Sequence, residues 1–102
     1  MNIQKHLEFL TRDEIKDITS PKLRGVTAKW ENNKAKISFY FNGEISNIDE
    51  EAASDACTYI IAHFPEAFLE ESFIRLDYPK PLPKDFLVYA RDEENEFNNN
   101  RL

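Results

Sequence analysis

Glycine and cysteine are scarce in this 102-residue chain: two glycines, Gly25 and Gly43, and one cysteine, Cys57. Phosphate-cradling loops and dinucleotide folds need clustered glycine, so neither is expected. A single cysteine excludes an internal disulfide. The histidines, His6 and His63, fall in separate predicted helices, and CxxC, HExxH and Asp-rich calcium motifs are missing. A metal site needs converging ligands, so no metal or other cofactor is expected. No segment approaches the ~20 apolar residues of a membrane helix. The start, MNIQKHLEFL, is broken by Lys5, His6 and Glu8 and does not read as a cleavable signal, so a cytoplasmic location is expected. Cys57, between Ala56 and Thr58 and well inside a predicted helix, lacks the helix start or cationic neighbour that activates a thiol. It is expected to be a small, partly buried helical residue. The carboxylates come in solvated runs, whereas acid–base catalysis needs a carboxyl with a raised pKa in a dry pocket. No catalytic residue is assigned.

What is present is core material and acid. Hydrophobic residues make up 41% of the chain, including eight Phe, four Tyr and one Trp. That suffices for one domain with one core, expected over residues 1–94, with a frayed polar tail at 95–102. The net charge is −6, from 13 basic and 19 acidic residues. Such a charge repels nucleic acid and anionic membranes and draws a basic partner, although it also serves solubility.

Ile3, Leu7 and Leu10 share a helical face, which predicts a helix over 2–18, with Thr11 or Asp13 capping a second short turn and Ser20-Pro21 ending the region. Residues 23–31 and 34–42 flank Asn32-Asn33, an acceptable two-residue hairpin turn. That register pairs Trp30 with Ala35, Ala28 with Ile37 and Val26 with Phe39, all on one face. A slip of one residue would mix the faces. Gly25 reads as a bulge and Gly43 as a strand stop. Ser46 or Asn47 caps a helix over 48–63 with an inward stripe of Ile48, Ala52, Ala56, Ile60 and Phe64, Tyr59 beside it, and Pro65 ending it. Residues 71–78 alternate as a strand, PKPLP at 79–83 is an extended connection, and 85–91 is the last strand. The fold class is therefore α+β in the order αββαββ: a four-stranded antiparallel sheet with both helices on one face.

Glu44, Asp49, Glu50, Glu51 and Asp55 occur within 12 residues with no base between them. Glu66, Glu70 and Glu71 follow, then Asp92, Glu93, Glu94 and Glu96. One or two acids in a first turn complement the helix dipole; five exceed that need. Clustered acids repel one another, and a basic partner would relieve them. Asp49, Glu50, Glu51 and Asp55, with Glu70 and Glu71 nearby, are the candidate partner-binding residues.

The segments LRGVTAKW, ISFYFNGEIS, DEEAASDACTYIIAHFP, IRLDYPKPLP and LVYARDE, across roughly residues 20–94, resemble small bacterial immunity proteins of polymorphic and contact-dependent growth-inhibition toxin systems. The likeness lies in the element order, the acidic helix start, the helix ending at Phe64-Pro65, the proline-rich connection after Tyr78, and the closing Val88-Tyr89-Ala90-Arg91. It implies a non-enzymatic protein that binds the C-terminal domain of a cognate toxin, often a nuclease with a basic site. The alternatives are an acidic DNA mimic or regulatory adaptor that binds a basic protein, and a small enzyme with an acid–base carboxylate.

Overall fold

The hairpin at residues 23–41 forms the centre of the sheet in the computed structural model, which describes residues 2–18 and 20–93. Strands β1 (Leu23–Glu31) and β2 (Lys34–Phe41) pair antiparallel in the expected register, with Trp30 opposite Ala35, Ala28 opposite Ile37 and Val26 opposite Phe39. Asn32 and Asn33 both adopt positive φ, at 52° and 60°, the mirror-image turn whose twist suits two strands. Val26, Ala28, Ala35, Ile37 and Phe39 are fully buried and form one floor of the core.

Helix α1 (Ile3–Ile15) is capped by Asn2, whose side chain accepts from the Lys5 N–H at 3.2 Å. The helix is continuous through Thr11, which starts no second turn. Thr11 is buried, and its hydroxyl donates to the Leu7 carbonyl at 2.7 Å, which satisfies a polar group inside the core. Helix α2 (Asn47–Ile61) begins at Ser46, whose Oγ accepts from the Asp49 N–H at 3.1 Å. Both helices cover the same face of the sheet. α1 lies on β1 and β4 (Leu87–Ala90), and α2 lies on β2 and β3 (Phe68–Arg75).

The sheet is mixed, with strand order β3-β2-β1-β4. β4 runs antiparallel to β1, but β3 runs parallel to β2, correcting the expected all-antiparallel sheet. The reason is length. Fifteen helical residues span about 22 Å at ~1.5 Å each, and the eight of β2 span about 26 Å. α2 therefore returns the chain to the end where β2 started, and β3 sets out alongside β2 in the same direction. Leu69, Glu71 and Phe73 face the core side, with the Phe73 ring 5.9 Å from that of Phe39, while Glu70, Ser72 and Ile74 face the opposite side. β3 starts three residues before the expected segment 71–78 and ends at Arg75, and β4 is shorter than the expected 85–91.

The connection after β3 turns at Asp77–Lys80, where the Lys80 N–H donates to the Asp77 carbonyl at 3.0 Å, so PKPLP is not extended throughout. It then crosses the helix-free face of the sheet. Leu82 and the Tyr89 carbonyl each lie 3.1 Å from where a Cβ on Gly25 would stand, so a larger residue in the bulge between Leu23 and Gly25 would have to push them aside. The expected tail at 95–102 lies outside the described residues.

Candidate functional site

α2 carries the densest acid. Asp49 and Glu50 lie in its first turn, where the helix dipole favours them, and no base lies in its last turn. Glu50, Glu51 and Asp55 are exposed, and Asp49 is half-buried behind the Ser46 cap. Around the helix, Ala53, Ala56, Cys57 and Ile60 are buried, so these acids fan across the solvent side. Glu71 joins the group through α2 itself, accepting hydrogen bonds from Ser54 Oγ at 3.0 and 3.2 Å.

Glu70 does not join them. Strand alternation sends it to the helix-free face opposite Lys36, in a depression of about 200 Å³ lined also by Lys29, Tyr40, Asp85 and Phe86. Charges of both signs meet on that face. Glu31 contacts Lys29 Nζ at 2.7 Å and Lys36 Nζ at 3.0 Å, and these two hydrogen bonds, Lys29 first, lower its pKa to about 2.

Glu93 is likewise drawn away from the solvated acids. It pairs bidentately with Arg24, which is 1% exposed, and its pKa falls chiefly through that hydrogen bond. Arg24 also donates to the carbonyls of Leu76 and Lys80, tying the last connection and the chain after β4 to β1. Glu94 and Glu96 lie outside the described residues.

Ala56, Ile60 and Phe64 of the expected inward stripe are buried, but the rest of the stripe differs. Ala53 and Cys57 replace Ala52 at the sheet, whereas Ile48 is 78% and Tyr59 63% exposed. Close packing of a helix on a sheet selects the smallest side chains, and the Ala53–Ala56–Cys57 arc allows a closer approach than one containing Tyr59. Cys57 is fully buried, and burial, with Glu71 nearby, pushes its thiol pKa well up. Among the described residues, no three His, Cys, Asp or Glu side chains converge as a metal would require. None of the described helices is long and apolar enough to cross a membrane.

Rotating Tyr59 outward opens a cleft of about 230 Å³ between the two helices, lined by Glu14, Asp17 and Ile18 on one side and Ala52, Asp55, Ala56 and Tyr59 on the other. Glu14 and Asp17 carried no sequence signal for this role. They lie more than 30 positions from Asp55, and only helix–helix packing brings the three together.

These features define a small α+β domain that presents carboxylates and exposed apolar side chains on one helix face. The profile of the MafI2 immunity protein family matches residues 15–93, and the chain belongs to that family. Immunity proteins of this kind neutralise a toxin, in keeping with the resemblance drawn from the sequence. No curated protein matches the chain.

Proposed function

We propose that this protein binds the C-terminal domain of its cognate toxin, a nuclease, and blocks it by covering a basic substrate-binding surface with acidic side chains. The observation that carries this reading is the exposed acid of α2, Glu50, Glu51 and Asp55 beside Asp49, in a chain of an immunity family. Glu71 supports the same surface through Ser54. Glu70 faces the other side of the sheet and contributes at most through long-range attraction. A net charge of −6 steers a cationic domain towards this surface and raises the association rate towards ~10⁸–10⁹ M⁻¹s⁻¹. Action in the cytoplasm, where the toxin's substrate resides, completes the reading.

The test is charge reversal of Asp49, Glu50, Glu51 and Asp55, with toxin binding and growth protection as readouts. Slower association and a flatter salt dependence are expected. Unchanged binding and protection would defeat charge-complementary occlusion and leave family-level neutralisation standing.

A further inference from the structure

We propose that Tyr59 and Ile48 are the anchors of the toxin interface, and that a Lys or Arg side chain of the toxin domain seats in the cleft beside Tyr59, among Glu14, Asp17 and Asp55. This rests on the reading above and deepens it by moving the centre of the interface from the acidic start of α2 to its exposed flank.

Ile48, Ala52, Asp55 and Tyr59 recur at i, i+4, i+7 and i+11 and so form one stripe along α2. Its two large members are among the most exposed apolar side chains of the molecule, at 78% and 63%. Two large apolar groups framing a small alanine, bordered by carboxylates, have the anatomy of an interface core with a polar rim. Tyrosine suits the anchor role, since it buries a broad rigid ring and keeps a polar tip.

Charge selects the occupant. Among the described residues, no Lys, Arg or His lines the cleft, while three carboxylates do. An incoming guanidinium or ammonium relieves their repulsion and can also lie against the Tyr59 ring. A second copy of this chain, itself at −6, would set acid against acid, and a nucleic acid would be repelled in the same way. The helix-free face is the weaker candidate because Lys29 and Lys36 stand among its carboxylates and would repel an incoming cation.

The probe is the purified cognate toxin domain, titrated by calorimetry at two salt concentrations. Tyr59→Ala and Ile48→Ser are each expected to weaken binding by about tenfold or more. Tyr59→Lys, which sets a cation against the incoming one, should abolish it. Asp17→Asn with Asp55→Asn should flatten the salt dependence, and Ser38→Ala, on the helix-free face, should leave Kd unchanged. Tyr59 and Ile48 project into solvent, so circular dichroism should show every variant folded. If the Tyr59→Ala/Ile48→Ser double variant binds as tightly as the natural protein, the anchor assignment is overturned while neutralisation stands. If the natural protein fails to bind the toxin domain at all, both readings fall.

Discussion

Arg24 and Glu93 form a bidentate ion pair inside the fold: Arg24 Nη2 lies 2.8 Å from Glu93 Oε1, and Nε bonds Oε2. Removing Glu93 strands the buried Arg24 and also takes an acceptor from Arg91, whose Nε lies 3.1 Å from Glu93 Oε2, whereas replacing both Arg24 and Glu93 removes the first of these costs. Glu93→Ala is therefore expected to cost about 3 kcal/mol of unfolding free energy. Arg24→Met/Glu93→Leu should lose less than the sum of the single changes. Urea unfolding followed by Trp30 fluorescence measures each term of the cycle.

The same pair contributes to an acid limit, together with Asp77 and the exposed Glu31. The pKa of Glu93 is lowered in the folded state, first by its hydrogen bond to Arg24, and that of Asp77 is lowered by Arg75 and then by the Gly43 N–H at 2.7 Å. A depressed carboxylate stabilises the fold above its unfolded pKa, ~4, and the gain disappears as pH falls through the folded value. Stability should be level from pH 7 to about 5 and then decline. Glu93→Ala, unstable throughout, should show a shallower decline. An equally steep acid limb in that variant would locate the sensitivity elsewhere.

Gln4 substitutes for a missing stretch of strand. Phe86, just before β4, reaches the Ala28 N–H at 3.0 Å, and beyond it the edge of β1 is completed by one amide: Trp30 N–H donates to Gln4 Oε1 at 2.7 Å, and Gln4 Nε2 donates to the Ala28 carbonyl at 2.9 Å. Gln4→Ala should cost about 1–3 kcal/mol. Gln4→Glu should be no better, because it loses the donor and sets a carboxylate beside Glu8, the other acceptor of Gln4 Nε2 at 2.7 Å. Chemical denaturation of the two variants checks the order.

Cys57 should behave as packing rather than as a reactive thiol. It is fully buried, and burial first, with Glu71 second, raises its pKa. Ellman's reagent at pH 8 should react slowly with the folded protein and at once when denaturant is added. Rapid labelling of the folded chain would contradict the burial.

The sequence by itself determined the central hairpin, because everything that fixes it lies within 19 residues: alternating side chains, a two-residue Asn-Asn turn, and a register whose slip would expose Val26, Ile37 and Phe39. It also narrowed the cap of α2 to Ser46 or Asn47, a local property of the helix start. Tertiary structure decided the rest. Alternation in 71–75 shows which residues share a face but not strand direction; the span of α2 made β3 parallel. A 3.6-residue period in α2 fits two neighbouring arcs, and close packing on the sheet chose Ala53 and Cys57, turning Ile48 and Tyr59 outward. Carboxylates that look alike in sequence parted in the same way. Arg24 drew Glu93 into the fold, strand geometry sent Glu70 and Glu71 to opposite faces, and helix packing brought Glu14 and Asp17 to Asp55. Short-range stereochemistry is written residue by residue, but the field around a charge depends on which distant elements pack beside it.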